Sequence, residues 1–582
     1  MTAIDIAIIA AYFAVTVSIG ILLSKRAGAG SEDFFLSGRK LPWWIAGTTM
    51  VATTFAADTP LSVTELVASG GIAGNWLWWN MVAGNILTVF FFARLWRRAD
   101  ILTDVQFIEL RYSGRPAAFL RGFKAVYLGL FMNVIIMGWV NVALSEIFKI
   151  LFGIPEHLTV VFIFGAMLLV GIYSAVSGLW GIAFTDMFQF VVAMAGCIVL
   201  AVFVLDAPAV GGITGLKAAL PADTFNFLPT VSLSGAAATG VLGLSFSAFL
   251  AHVCVQWWAS WYPGSEPGGG GYIAQRMMSA KNEKHALLAT LWFTIAHYAV
   301  RPWPWIIVGL ASLVLYPDLA AADKKAGFVL AMRDCLPAGL LGLLAAAFLA
   351  AYMSTISSHL NWGCSYLVND LYRRFIKQDA SEKHYVAASR VITLLLVLVS
   401  AGVSLFVQSV SGAWAFLIEC GAGLGLVLIL RWFWWRINAW SEITAMIAPF
   451  IGVIISRMFL DLHFPDSMFF IVALTTALWI TATFITSPDK TDTLKNFYAR
   501  IRPEGRGWQK FAESSGIAQT ASHIRKGLLQ WAAGVLLVYC ALFSIGKIIL
   551  QEYVLGFSLL AASVVLFALI AVSLREESEK VF

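Results

Sequence analysis

The sequence predicts an all-α integral membrane protein, and its composition, hydropathy pattern and charge distribution lead to this prediction. Of its 582 residues, 60% are hydrophobic and only 12% are charged, whereas about a quarter of the residues of an average soluble domain are charged. So few ionisable side chains could not cover the surface of a soluble protein of this length. Lipid is therefore the expected environment of most of the chain.

Apolar runs long enough to cross a bilayer recur along the whole sequence. A transmembrane helix needs about 20 mostly apolar residues, and we count fifteen such runs. The first precedes Lys25 and Arg26 instead of following basic residues, which predicts a retained helix and not a cleaved signal peptide. The predicted spans are residues 4–23, 42–70, 75–98, 119–151, 157–178, 180–205, 237–262, 286–316, 337–371, 385–408, 411–435, 441–462, 467–486, 527–549 and 553–574.

The basic residues predict how these helices are oriented. With the N-terminus outside, 31 of the 39 Lys and Arg residues lie in segments assigned to the cytoplasm, as the positive-inside rule requires. The prediction is therefore N-out and C-in, in the inner (plasma) membrane. Because the net charge of +6 follows this topology, it does not indicate a nucleic-acid partner. The cytoplasmic segments are 24–41, 94–124, 263–284, 371–390, 431–436, 489–526 and 575–582.

The polar segments are too short to form a catalytic domain. Residues 263–271 contain two prolines and five glycines, a composition typical of a flexible linker. The chain has no GxxxxGK[ST], HExxH or GxSxG motif, so we expect neither ATP-driven transport nor an enzyme. Its six cysteines are isolated from one another and form no CxxC pair, so neither a zinc site nor a disulfide framework is predicted.

The second apolar run carries polar residues at its centre. Asp58 and Pro60 interrupt it close to three threonines, Thr53, Thr54 and Thr59. Pro60 frees a backbone carbonyl about one turn earlier, near Ala56, and such a break suits a bare cation at mid-membrane. A proline kink with threonines bonded to their own helix is the alternative.

The ninth run concentrates hydroxyl groups. Ser354, Thr355, Ser357 and Ser358 lie within five residues, and residues three or four apart share a helix face. Neutral oxygen ligands with one carboxylate suit a hard monovalent ion such as Na⁺ better than a transition metal. Helix–helix packing through small residues is the alternative interpretation.

Short motifs spread over about 400 residues resemble those of the sodium:solute symporter family. They are residues 33–39 (DFFLSGR) with 41–44 (LPWW), 178–179 (GL) with 185–189 (TDMFQ), 272–276 (YIAQR) with 280–281 (AK), 353–355 (MST) with 370–372 (DLY), and 431–438 (RWFWWRIN). Their order and spacing carry the resemblance.

This resemblance implies a LeuT-like core of two inverted five-helix repeats. Residues 42–205 would form the first repeat and 237–436 the second, joined by an extracellular loop at 206–236. Residues 1–41 would add an extra helix and a cytoplasmic loop. Residues 437–582 would form peripheral helices, with a basic cytoplasmic loop at 487–526.

The resemblance also implies sodium ligands and a gate. Carbonyls of Ala52, Phe55 and Ala351 with hydroxyls of Ser354 and Thr355 would hold the first Na⁺. Asp186, Ser354, Ser357 and Ser358 would form a second site, giving one or two ions per cycle. Tyr272 matches a tyrosine that gates the solute from below in sugar-transporting relatives, although the glycine-rich insertion directly precedes it. Thr54 and Ile418 depart from the sugar-binding pattern of some relatives.

A solute is expected near the bilayer midplane, between the two repeats. Arg301 lies near the middle of the eighth run, where an unpaired guanidinium is costly. Either it pairs with Asp58 or Glu419, or it receives a substrate carboxylate. The candidate lining residues are Thr54, Asp58, Thr59, Trp78, Trp79, Asn80, Asn133, Trp139, Gln256, Trp257, Arg301 and Glu419.

The function predicted from these features is import of a small organic solute driven by the Na⁺ gradient. A sugar, an amino acid or a carboxylate fits as the solute, the lipid bilayer is the only other partner expected, and no obligatory protein partner is evident. The alternatives are a proton-coupled permease using Asp58, Asp186 or Glu419, and a solute sensor that retains the transporter fold.

Overall fold

A computed structural model describes residues 1–27, 31–232, 242–407, 414, 417–517 and 523–580. The described chain is mostly helical, with one parallel pair of short strands, Thr230–Ser232 and Gly243–Ser245. The α-helices are Ala3–Ala27, Ser31–Leu36, Trp43–Thr53, Asp58–Gly70, Trp76–Trp79, Val82–Leu87, Ala93–Ala99, Phe107–Arg111, Gly114–Val126, Asn133–Phe152, Glu156–Asp206, Gly212–Ala219, Phe246–Leu250, Trp257–Ala259, Gly271–Ser279, Glu283–Ile295, Pro302–Leu315, Gly327–Cys335, Leu340–Ser365, Glu382–Val403, Leu424–Phe433, Ala439–Met458, Asp466–Ile485, Thr491–Ile501, Gln509–Ser515, Ile524–Ile549 and Tyr553–Lys580.

Several of these helices continue into wider or tighter turns. The π-type turns are Thr88–Phe92, Tyr127–Met132, Ala251–Gln256, Ala296–Val300 and Tyr366–Ile376. The 3₁₀ turns are Ser37–Arg39, Ile72–Asn75, Ala222–Phe225, Ala321–Ala326 and Arg506–Trp508.

Eleven helical stretches in the described residues are long and apolar enough to cross a membrane, and each matches one predicted span. They are Ile72–Ala99, Gly114–Phe152, Glu156–Ala175, Ile182–Asp206, Glu283–Leu315, Leu340–Ile376, Glu382–Val403, Ala439–Met458, Asp466–Ile485, Ile524–Ile549 and Tyr553–Glu576. The other four predicted spans are short or interrupted where the chain is described. The total of fifteen and the orientation therefore stay predictions.

Two of the eleven spans lie in one continuous 51-residue helical stretch, Glu156–Asp206. The hydroxyl groups of Tyr173 and Thr185 are nevertheless 2.6 Å apart. Twelve residues of straight helix would separate them by about 18 Å. The chain must therefore reverse direction between these residues, as two predicted membrane crossings require.

The second predicted span is divided at its centre. It consists of Trp43–Thr53 and Asp58–Gly70, separated by residues 54–57, which confirms the predicted break near Ala56. The Ala56 carbonyl is not left free, because it accepts a hydrogen bond from the Thr59 amide at 3.2 Å. Backbone groups on both sides of the break therefore form hydrogen bonds with residues close in the chain, as Phe55 does with Ala52 and Thr59 with Ala56.

The predicted flexible linker after the seventh predicted span is wrong. Residues 263–272 are buried, and the helix that follows, Gly271–Ser279, is buried along its whole length. Trp96 donates its indole N–H to the Gly268 carbonyl at 2.9 Å, and Asp104 accepts the Gly271 amide at 3.0 Å. Positive φ angles at Gly268 and Gly271 allow this path. We refer to residues 263–271 as the buried segment.

The first predicted span lies in one helix, Ala3–Ala27, whose apolar part Ala3–Thr16 is short. The eleventh predicted span lies partly outside the described residues. In the eleventh, helix Leu424–Phe433 is described, and residues 411–413 and 415–416 lie outside the described part of the chain. The predicted boundaries at 206–236, 237–262 and 487–526 likewise include residues that are not described.

The predicted basic loop at 487–526 is folded over its described length. Helix Thr491–Ile501 buries Phe497, whose ring stacks on Trp508 with centroids 5.0 Å apart. The Arg111 guanidinium lies 4.8 Å from the Trp508 ring centre. This segment therefore packs against helix Phe107–Arg111.

Gly425 brings two elements into contact, and we expect its replacement to destabilise the protein. A Cβ atom at Gly425 would overlap the Trp258 carbonyl oxygen and lie 2.7 Å from the Pro267 ring. Gly425→Ala should therefore lower the free energy of unfolding by about 1–3 kcal/mol. Gly165→Ala is the control, since nothing lies within 4 Å of its added Cβ. Thermal unfolding in detergent, followed by tryptophan fluorescence, measures both; equal melting temperatures would contradict the close approach.

Candidate functional site

A cavity lies beside the break in the second span, with about 880 Å³ of empty space including its mouth. Of the twelve candidate lining residues, six line it: Thr54, Asp58, Thr59, Trp78, Trp139 and Arg301. The predicted gate residue, Tyr272, lines it too.

The other six candidates do not line this cavity. Glu419 is wrong as a candidate because it forms an ion pair with Arg457, which is 62% exposed, in a separate surface pocket. Three amides are used within the fold. Asn80 donates to the carbonyls of its own helix, Gln256 donates to the Leu77 carbonyl at 3.2 Å, and Asn133 bonds to both the side chain and the carbonyl of His359.

The two remaining candidates are packing residues. Trp79 packs against the Trp76 and Phe543 rings. Trp257 lies against Trp531, with ring centroids 5.8 Å apart. Indole rings most often serve such packing in a helix bundle, so their presence in an apolar run did not distinguish lining residues from packing residues.

Sequence reasoning missed several polar and aromatic lining residues. These include Ser62, Tyr262, Ser265, His297, Tyr298, His359 and Trp414. One signal was available for His297: it lies four residues before Arg301, on the same helix face. Tyr262 and Ser265 could not be found, because the segment around them was interpreted as a cytoplasmic linker.

Arg301 is 1% exposed and is held by neutral groups. Its Nη1 donates to the Val51 carbonyl at 3.1 Å and to the Thr54 hydroxyl at 3.0 Å. Its Nη2 lies 3.4 Å from Nε2 of His297. Among described residues, no carboxylate forms an ion pair with it, so the predicted pairing with Asp58 or Glu419 is wrong in this conformation. Its Nε has no hydrogen-bond partner.

Asp58 opens the second half of the divided helix and is 3% exposed. One of its carboxylate oxygens, Oδ1, has no partner in the described structure. A helix N-terminus favours negative charge, which stabilises this carboxylate in the membrane interior. The cavity wall therefore contains one carboxyl group and one guanidinium group whose hydrogen-bonding capacity is not used up.

Two of the predicted sodium ligands contact other parts of the chain. The Thr355 hydroxyl donates to the Thr53 carbonyl at 2.9 Å, and the Ser354 hydroxyl donates to Asp186 at 2.6 Å. Thr49 donates to the other oxygen of Asp186. Hydroxyl, carbonyl and carboxylate oxygens from three parts of the chain thus lie close together, and this donor set suits Na⁺.

The two other serines of the cluster make different contacts. Ser357 donates to the Ser354 carbonyl of its own helix at 3.1 Å. Ser358 accepts a hydrogen bond from Nη2 of the buried Arg276 at 2.7 Å and lies 2.9 Å from the Thr53 hydroxyl. A second Na⁺ bound through Ser358 would therefore lie close to a fixed positive charge.

Tyr272 and the buried segment close the cavity on one side. The Tyr272 ring packs against His359, with centroids 5.4 Å apart, and against Trp362 at 6.1 Å. Gly264, which has a positive φ, lies where a Cβ would overlap the Tyr272 hydroxyl. The insertion before Tyr272 is thus part of the cavity wall.

The chain is similar to several known proteins. The profile of the Sodium:solute symporter family matches residues 34–452. The chain is 24% identical over 502 residues to the sodium/glucose cotransporter of Vibrio parahaemolyticus, covering 81% of this chain and 88% of that protein. It is also 24% identical over 486 residues to the sodium/sialic acid symporter SiaT of Proteus mirabilis, covering 79% and 91%.

A vertebrate relative and a solved structure extend this likeness. Sodium/glucose cotransporter 1 of Oryctolagus cuniculus is 23% identical over 503 residues, covering 78% of this chain and 72% of that protein. The fold is similar to that of a Na⁺-coupled sialic acid symporter in its substrate-bound outward-open state, with a TM-score of 0.66. Identity there is 21%, and the alignment covers 84% of this chain and 99% of the other.

Proposed function

The chain belongs to the sodium:solute symporter family, and we propose on this basis that it is a sodium-coupled symporter that imports a small polar solute by alternating access. Relatives named above are sodium-coupled cotransporters and not enzymes. They give no support to a proton-coupled permease or a sensor. The plasma membrane is the proposed location.

One observation carries the proposal: Thr355, which lines the cavity, bonds to the Thr53 carbonyl next to the break in the second span, and the adjacent Ser354 bonds to Asp186. The first Na⁺ is proposed to bind there, to the hydroxyls of Ser354 and Thr355 and the carbonyls of Ala52, Phe55 and Ala351. A second site from Asp186, Ser354, Ser357 and Ser358 would have to displace the hydrogen bond that Arg276 makes to Ser358.

The position of this site couples ion binding to helix movement. Na⁺ would join Trp43–Thr53 to Leu340–Ser365, and would thereby position Thr54 and Asp58 for the solute. In the predicted orientation the cavity faces outward, and Tyr272 with the buried segment separates it from the cytoplasm. Movement of these elements would release Na⁺ past Asp186. An inward-negative potential contributes about 2.3 kcal/mol per charge per 100 mV.

Sodium-specific stabilisation tests the proposal. We expect NaCl, and neither KCl nor choline chloride, to raise the melting temperature of the purified protein. Ser354→Ala should remove most of this shift, because it deletes a ligand that also contacts Asp186. Ser365→Ala is the matched control, since its hydroxyl bonds only within its own helix, to the Trp362 carbonyl. A wild-type protein that unfolds at the same temperature in all three salts would contradict sodium coupling.

A further inference from the structure

Resting on the proposed symport function, we propose that the cavity binds a dipolar solute of the amino-acid class. Its carboxylate would be held by Arg301, and its cationic nitrogen would lie against Asp58. The argument depends on which hydrogen-bonding positions of these two side chains the described structure leaves unused.

Arg301 has hydrogen-bonding capacity that the described structure leaves unused. A guanidinium carries five N–H groups. Nη1 donates to the Val51 carbonyl and the Thr54 hydroxyl, and Nη2 lies within hydrogen-bonding distance of His297. The N–H of Nε has no partner among the described residues. In any guanidinium this N–H is parallel to one N–H of Nη2, and such a pair can bind a carboxylate in two hydrogen bonds.

The anchoring groups around Arg301 position its charge without neutralising it. Val51, Thr54 and His297 supply oxygen and nitrogen acceptors. A neutral His297 fits, because Thr54 can accept from its Nδ1 at 3.0 Å while Nε2 faces Arg301. A buried cation without a counter-ion is costly in a membrane. An anionic group arriving with the solute would supply the missing charge.

Asp58 indicates which group the solute carries in addition to its carboxylate. Its Oδ1 is buried and has no hydrogen-bond partner. An ionised carboxylate accepts hydrogen bonds and donates none. A solute with a carboxylate alone would satisfy Arg301 and leave Asp58 unpaired. A neutral polyol would leave both groups without a charged group in direct contact. A solute with one carboxylate and one cationic nitrogen supplies a charged partner to each.

The aromatic wall is compatible with a cationic nitrogen. Trp78, Trp139, Tyr262 and Tyr298 line the same cavity, and Trp78 stacks on Tyr298 with centroids 5.5 Å apart. The faces of such rings attract cations. They would also exclude water from the two charged contacts, which strengthens both of them.

A matched set of small molecules tests the solute class. Wild-type protein in NaCl is screened by thermal shift with the twenty L-amino acids, glucose and myo-inositol. For each amino acid that stabilises the protein, its amide and its 2-hydroxy acid analogue are titrated. We expect the amino acid to act at a concentration at least about ten times lower than either analogue, because each analogue leaves one buried charge unpaired. Stabilisation by glucose or myo-inositol without any amino acid would overturn the inference, as would no shift with any compound.

Two variants assign the contacts. Arg301→Gln should abolish the preference for the acid over the amide, and Asp58→Asn should abolish the preference for the amine over the hydroxyl. Ser365→Ala, whose hydroxyl lies outside the cavity and bonds to the Trp362 carbonyl of its own helix, should keep both preferences. If Arg301→Gln does not fold, Arg301→Lys keeps the charge but lacks the parallel donors, and should bind the amino acid at least about tenfold more weakly. Unchanged preferences in the folded variants would overturn the assignment.

The two proposals can fail separately. Sodium-dependent uptake of a neutral polyol would retain the symport function and overturn the solute class. Equal amino-acid binding in NaCl and KCl would retain the solute class and overturn sodium coupling.

Discussion

Glu442→Ala is expected to lower the free energy of unfolding by about 3–5 kcal/mol, since it removes the shared partner of two buried cations. Glu442 is fully buried and accepts hydrogen bonds from Lys124 at 2.5 Å and Arg431 at 3.0 Å. The Tyr112 hydroxyl donates to its other oxygen at 3.1 Å. These residues belong to separate parts of the chain, so the network joins the predicted first repeat, second repeat and peripheral helices.

Denaturation of the purified protein in detergent measures this loss. Glu156→Ala is the control, because Glu156 forms an ion pair with Lys149 but is 88% exposed, and exposed pairs contribute little. Lys124→Met should restore part of the stability in the Glu442→Ala background, because it removes one of the two uncompensated charges. The same change should destabilise the wild type. If Glu442→Ala unfolds like the wild type, the buried network makes no net contribution to stability.

Asp186→Asn is expected to raise the Na⁺ concentration needed for half-maximal stabilisation by about 100-fold. A unit charge about 6 Å from the ion contributes about 3 kcal/mol at an effective dielectric constant of 20. Asn keeps the size of the side chain and can still bond to Ser354, so the fold should be retained. NaCl titrations of the melting temperature at constant ionic strength give the two half-saturation values.

Thr49→Val tests whether Asp186 acts on Na⁺ through its charge or through the position in which Thr49 holds it. It removes the hydrogen bond from Thr49 to Asp186 but leaves the carboxylate charge and its contact with Ser354. We expect a much smaller effect on the Na⁺ requirement than that of Asp186→Asn. Equal and small effects of both variants would show that Asp186 joins the helices and does not attract the ion.

The sequence predicted the features that depend on local properties of the chain. Eleven spans follow from runs of apolar residues whose length must match the bilayer. The break near Ala56 follows from Asp58 and Pro60 inside such a run, where neither is easily accommodated in a continuous helix. The grouping of Ser354 and Thr355 on one helix follows from their spacing. The family motifs then indicated which elements these hydroxyls would face.

Features that depend on partners distant in the chain were predicted poorly. The glycines at 268–271 indicate a backbone that can adopt unusual φ and ψ angles. Both a solvated linker and a buried turn have this property, so the glycines do not distinguish between them. Only the contacts with Trp96 and Asp104 show that this backbone is buried. Likewise, the acidic character of Glu419 predicted a charge in the membrane but not its partner, Arg457.

The sequence by itself therefore determined the helical membrane class, most of the spans, the break in the second span and the hydroxyl cluster of the ninth run, because hydropathy and helix periodicity are properties of neighbouring residues. The residues proposed to bind sodium came from the resemblance to the family. Only the tertiary structure decided that the buried segment lines the cavity, that Glu442 joins Lys124 and Arg431, and that Arg301 and Asp58 face the cavity without pairing. A buried charge shows only that a partner is needed. Which group supplies it depends on which helices pack together, and residues hundreds of positions apart do not reveal that from their order alone.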